Sequence, residues 1–412
     1  WLNCGKNCSR EVGGELKDMT VSDKHQLLLA VVVNLYVFFL CSTNWNAGLS
    51  ICTGIITAVI LYIYVFRKER IRQVPVKFLG SYAAFMGLVM LAAFLTGNSG
   101  NVKSAFSLVT YSIPMWLFYL TLSKYPDLLS KLWYGLIAGI WVLNGYGISQ
   151  LVKFSLLERV HGPVASPNTF AMLLEVLVPL LFFKIRMYQR KQMRSRYLVS
   201  LFTGIVSASL LFLSFSRGGI IGFCIGGIIT FGISKIQEKK FLNIKKLTGI
   251  LLLAIMVLTV LFFKAAVSYN GRTYDGERKL LWIAAYHMWD DHKLYGVGLH
   301  EWNDVYQKQY ILPGAKERYL ALPHNNIANF FSGAGLLGGV GYLLFSCCSF
   351  YFLLKSRREN LQNGFLLMML WVFISFFIHG MVDNTMFGKY GLRLYFAAWG
   401  ITLASLPILK EK

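Results

Sequence analysis

The sequence predicts an all-α polytopic membrane protein of about twelve transmembrane helices with one large extracytoplasmic loop, and three observations carry that prediction. Of its 412 residues, 56% are hydrophobic and only 15% charged, whereas soluble domains hold about 45–50% apolar and 25% charged residues. Apolar runs approaching the roughly 20 residues that cross a bilayer recur along the chain. The basic residues also alternate from loop to loop. A net charge of +22 would suggest nucleic acid in a soluble chain; here it follows from positive-inside asymmetry, and no nucleic-acid partner is expected.

Residues 1–25 read as a polar cytoplasmic tail, with no apolar run of the kind a cleavable signal peptide needs. Nine apolar segments then fill residues 26–263, near 26–42, 47–66, 76–95, 103–122, 132–152, 168–183, 197–215, 218–234 and 247–263. A long mixed-polarity stretch occupies residues 264–325, and residues 326–412 hold three further segments near 326–354, 365–382 and 391–409. Pro114, Pro179 and the glycines from Gly333 to Gly341 are expected to break segments. Those glycines would let a short helix bend into the tenth segment. Placing both termini in the cytoplasm puts 27 Lys and Arg inside and 14 outside, or 27 against 6 without the long loop. The long loop therefore falls on the outer face of the expected bacterial cytoplasmic membrane.

Loops of that length are functional or disordered. This one is rich in aromatic residues and carries a helical apolar pattern at Leu280, Leu281, Ala284, Ala285 and Met288, so it reads as a folded cap holding a catalytic site. Trp282, Trp289, Tyr295 and Trp302 either stack on sugar faces or pack the loop onto the membrane surface. The cysteines offer little: Cys41, Cys52, Cys224, Cys347 and Cys348 lie in apolar segments, and Cys4 with Cys8 lack further ligands. Asp290 and Asp291 are adjacent rather than alternating, and no nucleotide-binding motif is present. No metal and no cofactor are expected.

Three outward positions carry unusual polar residues. Ser216 and Arg217 lie in Ser214–Gly219, a link with almost no loop. An Arg there either snorkels to lipid phosphates or, with the adjacent glycines opening the backbone, meets an anion. Arg278 precedes the amphipathic stretch, where it is either solvated or set in the first helical turn facing an anion. His324 opens the tenth segment and is either structural or placed for proton transfer near neutrality, with Asn325 or Asn326 capping the helix. Arg159 to Asn168 and the pair His379 and Asp383 lie on the same side. Glu175, inside the sixth segment, faces the same cavity or pairs with a base.

Together the residues resemble the O-antigen ligase and polymerase superfamily. The similarity is carried by SFSRGG at Ser214–Gly219, RxxxW from Arg278 to Trp282, GVGLHEW at Gly296–Trp302, PHN at Pro323–Asn325, GLLGGVGYLLF at Gly335–Phe345, and GxxxSPN at Gly162–Asn168. It spans about residues 159–354; the first five segments carry no matching motif. The resemblance implies a metal-independent glycosyltransferase that moves a glycan from undecaprenyl diphosphate to an acceptor hydroxyl on the outer face of the membrane. The acceptor is a glycan, lipid A-core or a protein hydroxyl. By position Arg217 and Arg278 match the family's essential arginines and His324 its essential histidine, while Arg159, Asn168, Ser216 and Asn325 are candidate substrate-binding residues. Two guanidiniums suit a diphosphate leaving group that gains charge as its bond breaks. Polymerase and protein-glycosylating enzymes share these motifs. A transporter of the same lipid is the rival from another class, and it predicts basic residues along a path through the bilayer.

Overall fold

The computed structural model describes residues 21–43, 45–153, 158–237, 274–316, 318–319 and 322–407. The tail before residue 21, the expected ninth segment at 247–263 and the opening of the long loop lie outside them. The described residues form helices and loops. Helix α1 is Val21–Ser42, and α2 is Asn46–Leu61, ending in a π-turn at Tyr62–Phe66. Then come α3 (Val76–Leu95), α4 (Ser99–Tyr111), α5 (Ile113–Lys124), the short α6 (Leu128–Lys131) and α7 (Trp133–Lys153). They are followed by α8 (Pro167–Arg190), α9 (Arg194–Leu213) and α10 (Arg217–Gln237). The former long loop supplies α11 (Tyr274–Asp291) and α12 (Trp302–Val305), and the chain closes with α13 (Asn326–Glu359), α14 (Gly364–His379) and α15 (Lys389–Ala404).

Eleven of the twelve expected segments coincide with these helices, and among the described residues seven helices or helix pairs are long and apolar enough to cross a membrane. The fourth segment is two helices, α4 and α5, parted at Ser112 with Pro114 in the first turn of α5. That is a position where a missing N–H costs nothing. Pro179 behaves differently from expectation: α8 runs through it without a break. Its neighbours are buried on all sides, and surrounding helices hold such a segment in place.

Helices α8, α14 and α15 form the middle of the bundle. From Leu366 to Phe376 every residue of α14 is buried, as expected for a helix that is apolar all round. Helix α8 touches α9, α10, α14 and α15, while α1, α2 and α7 pack on one flank. The tightest joint is between α10 and α14. A Cβ at Gly222 would come within 2.6 Å of Ser375 O, and one at Gly227 within 2.9 Å of the Trp371 ring. Glycine here lets two backbones approach, which raises van der Waals contact where no hydrophobic force drives helices together.

The stretch between α10 and α13 has a core of its own. Leu281, Ala284, Ala285 and Met288 of α11 pack with Val297, Trp302 and Tyr306, all buried. This cap is joined to α13 through backbone groups. Gly335 has φ 63° and ψ −159°, so α13 is two helices meeting at a kink. The polar groups freed there are met by the chain from Lys293 to Gly298. Val297 N donates to Ser332 O (2.9 Å), Gly298 N to Gly333 O (2.9 Å), and Leu336 N to Lys293 O (2.7 Å). A Cβ at Gly335 would lie 2.3 Å from Leu294 C. The bend expected of these glycines is therefore present, and its partner is the GVGLHEW loop.

Candidate functional site

Four helix ends meet beside the cap. Helix α8 begins where Ser166, in extended geometry, accepts from Thr169 N at 3.1 Å, with Pro167 in the first turn. A Ser cap of this kind is worth about 1 kcal/mol. It places Asn168 one residue into the helix, where its Oδ1 accepts from Arg159 Nη2 at 2.8 Å and its Nδ2 donates to Asp383 Oδ2. Arg159 Nε donates in turn to Ser214 O at 3.1 Å. The turn before it is clamped by Gln150, whose Oε1 accepts from the backbone N–H groups of His161 (3.1 Å) and Gly162 (2.9 Å).

Helix α10 starts after a strained turn, since Phe215 has φ 47°, a left-handed value that non-glycine residues rarely adopt. Ser216 caps the helix: its carbonyl accepts from Ile220 N at 2.8 Å and its Oγ from Gly219 N at 3.4 Å. The same hydroxyl lies 3.5 Å from His379 Nε2. Arg217 is the first helical residue and is partly buried. The glycines beside it serve packing rather than approach of an anion. A Cβ at Gly218 would be 2.5 Å from Val382 Cγ2, and one at Gly219 would be 2.9 Å from Glu175 Oε1.

His379 and Glu175 form the buried floor, with Nδ1 and Oε1 3.0 Å apart and side chains 1% and 0% exposed. The contact is an ion pair only when both nitrogens of His379 carry protons. Of the two sequence readings for Glu175, the structure selects the one that pairs it with a base.

His324 stands above that floor, 31% exposed, with φ 51°. Its Nδ1 is 2.9 Å from Asp383 Oδ1, and the same oxygen accepts from Asn384 N at 2.8 Å. Burial alone would raise the Asp383 pKa, but the hydrogen bond from His324, the charges of His379 and His324, and the Asn384 N–H outweigh it. They hold the carboxyl well below the usual carboxylate range. An ionised Asp383 requires a proton on Nδ1 of His324, so that in the neutral ring the acceptor nitrogen is Nε2. Strained backbone at a polar residue of this kind clusters at functional positions.

Asn325 caps α13, its Oδ1 accepting from Ala328 N (3.0 Å) and its Nδ2 donating to Met381 O (2.9 Å). Its side chain is thereby committed to holding His324 in place. Asn326 completes the anchorage: Nδ2 donates to Thr385 Oγ1 (2.8 Å), Oδ1 accepts from Met386 N (3.1 Å), and its own N donates to Gly380 O (2.7 Å).

Arg278 sits differently from expectation. Helix α11 begins at Tyr274, so Arg278 lies one turn inside rather than in the first turn. It is partly buried. The neighbouring Glu277 carboxylate accepts from Lys316 N at 3.0 Å. Among the aromatics, Trp302 is fully buried, donates to Ser332 Oγ (2.8 Å) and stacks on Tyr306, which makes it cap core. Trp289 meets Phe331 edge to face, whereas Trp282 and Tyr295 remain exposed. Asp290 pairs with Lys293 and Asp291 accepts from Tyr310 Oη.

Two partners of the cap carry no chemical signal in the sequence. Asn98 Nδ2 and Asn101 Nδ2 donate to the two oxygens of Glu301 at 2.6 and 3.0 Å, and Asn101 Oδ1 accepts from His300 N at 2.9 Å. They tie the GVGLHEW loop to the turn between α3 and α4.

No curated protein matches the chain. A family model does match, over residues 201–343, a stretch from α9 to just past the kink of α13 that contains Ser216, Arg217, Arg278, His324 and Asn325. The family is described as O-antigen ligase, and over those residues the resemblance carried by the motifs is borne out.

Proposed function

We propose that the chain is a glycosyltransferase that moves a glycan from undecaprenyl diphosphate to an acceptor hydroxyl at the outer face of the bacterial cytoplasmic membrane. The observation that carries this reading is His324, held in a left-handed backbone position with Nδ1 bonded to the ionised Asp383. The Nε2 lone pair accepts the proton of the acceptor hydroxyl as its oxygen attacks the anomeric carbon. The bond between that carbon and the diphosphate oxygen breaks, and its electron pair leaves on undecaprenyl diphosphate. Arg217 and Arg278 meet the growing negative charge, which makes their contribution larger in the transition state than in the ground state. Attack opposite the leaving group inverts the anomeric centre.

Asp383 stabilises the imidazolium that forms and fixes the ring, while Asn168 and Arg159 hold Asp383 and the α10 turn in register. Asn325 and Ser216 support the site as caps. No step in this sequence calls for a metal. The test is transfer in vitro, with purified protein, an undecaprenyl-diphosphate-linked glycan and lipid A-core, glycan or peptide acceptors, with and without EDTA. Acceptor-dependent product at an EDTA-independent rate is expected, and the productive acceptor distinguishes ligase from polymerase or protein glycosylation. Donor binding without product for any acceptor would instead favour transport.

A further inference from the structure

The kink of α13 at Gly335 divides that helix into an outer half, which begins beside His324, and an inner half. In an unbroken helix Leu336 N and Leu337 N would donate to the carbonyls of Ser332 and Gly333. Here they donate to Lys293 O (2.7 Å) and Leu294 O (3.2 Å), while those two carbonyls accept from Val297 N and Gly298 N, both at 2.9 Å. The loop takes the place of the missing helical turn. Trp302 Nε1 adds a bond to Ser332 Oγ (2.8 Å), and a Cβ at Gly333 would stand 2.7 Å from Leu299 Cδ2. The direction of the outer half therefore follows from where this loop is held.

The turn between α3 and α4 grips the other face of the loop. Asn98 caps α4, its Oδ1 accepting from Gly100 N at 2.7 Å, and its Nδ2 donates to Glu301 Oε1 at 2.6 Å. Asn101, fully buried, donates from Nδ2 to Glu301 Oε2 (3.0 Å) and to Thr96 Oγ1 (2.9 Å), and its Oδ1 accepts from His300 N (2.9 Å). Neither amide can turn over without giving up Gly100 N or His300 N. A Cβ at Gly298, whose φ is 99°, would lie 2.1 Å from Asn101 Nδ2, and one at Gly100 would lie 2.4 Å from His300 Cδ2. Bonds to a carboxylate are shorter and stronger than bonds to a neutral acceptor, so this joint fixes orientation as well as contact.

The start of the outer half is anchored separately, Asn325 Nδ2 donating to Met381 O, Asn326 Nδ2 to Thr385 Oγ1 and Asn326 N to Gly380 O. A loop that shifts must tilt the outer half against those bonds. The tilt moves His324 relative to the cap that carries Arg278.

We propose that Glu301 and Asn101 are positioning residues for the transfer, holding the loop that sets the outer half of α13 and with it the place of His324 Nε2. The proposal rests on the transferase reading. It gives α3 and α4, which lie outside the matched residues 201–343, a part in the reaction.

The test is a double-variant cycle in the purified full chain. Asn101→Asp sets two carboxylates against each other, and Glu301→Gln sets one amide N–H group against another. The two substitutions together restore a donor–acceptor pair of reversed direction, and Oδ1 at position 101 still accepts from His300 N. Single-turnover release of undecaprenyl diphosphate and donor binding are measured, with amide exchange over residues 324–334 followed by mass spectrometry. Each single variant is expected to bind donor and to release product on the order of 10²-fold more slowly, the scale of a misplacement of about 1 Å. Each should also exchange faster over 324–334, and the combined variant should recover most of both losses.

A role in stability alone would shrink the donor-binding fraction and leave the turnover rate of that fraction at the wild-type value, which would overturn the proposal. A combined variant no better than either single one would also overturn it. Wild-type protein that releases no undecaprenyl diphosphate with any acceptor would defeat the transferase reading instead. The placement of the outer half is then decided by exchange: faster exchange in the single variants, reversed in the combined one, supports it, and unchanged exchange refutes it.

Discussion

Asp383 is the residue on which the candidate site turns, because it joins His324 to Asn168 and, through Asn168, to Arg159. Asp383→Asn keeps the shape but removes the charge that fixes the Nδ1 proton. Transfer is expected to fall on the order of 10²-fold or more, the scale of general-base catalysis, with donor binding retained. The same carboxylate sets a pH signature. Its pKa is depressed in the folded protein, so its stabilisation is complete above the ordinary Asp value of about 3.9 and is lost only as pH falls towards the folded value. Thermal unfolding of wild type and variant should differ at about pH 5, and the gap should close in stronger acid. A gap that persists unchanged in strong acid would contradict this assignment. His324, Arg217 and Arg278 were legible in the sequence because each broke an apolar or loop pattern. The pairing of His324 with Asp383 was not, since it joins positions 59 residues apart that no periodicity connects.

At the scale of elements, the joint between the cap and α13 is the most tightly specified feature. Gly335→Ala adds a Cβ 2.3 Å from Leu294 C at φ 63°. Strained backbone alone costs about 1–3 kcal/mol, and the displaced loop would also leave Leu336 N and Leu337 N without their acceptors. The variant is expected to unfold at lower temperature, and proteolysis should cut first between Lys293 and Leu299. Wild-type stability and an unchanged cleavage pattern would contradict the joint. Most helices were readable from apolar length, and the bend was readable from its glycines. What the bend grips was not, because backbone hydrogen bonds leave no mark on side-chain pattern. The same limit explains Gly218 and Gly219: beside Arg217 they read as an anion cradle, yet the space they open is filled by Val382 and Glu175. Helix α11 started early because Tyr274 to Lys279 carry no apolar stripe to announce it.

Across the whole molecule, polar groups collect at two opposite ends. His324, Asp383, Arg217 and the cap lie at one end, and a cavity lined by Lys184, Arg190 and Lys191 at the other. The count of basic residues predicts which end faces the cytoplasm. In a background without native cysteines, Lys316→Cys should react with a membrane-impermeant maleimide in intact spheroplasts, and Gln192→Cys only after permeabilisation. The reverse pattern would invert the topology and place the transferase site in the cytoplasm. The helical, membrane-type character of the described residues followed from composition together with the recurring apolar runs. The family match adds residues 201–343 and leaves Arg159, Asn168 and Asp383 outside it, so these positions rest on geometry.

The most direct test is a single-turnover measurement of acceptor-dependent release of undecaprenyl diphosphate, comparing wild type with His324→Ala and following donor binding in parallel. Loss of on the order of 10²–10⁴-fold in rate with donor binding preserved is the result predicted for a general base. A variant that binds donor and still turns over at the wild-type rate would contradict the assignment of His324 and the mechanism built on it.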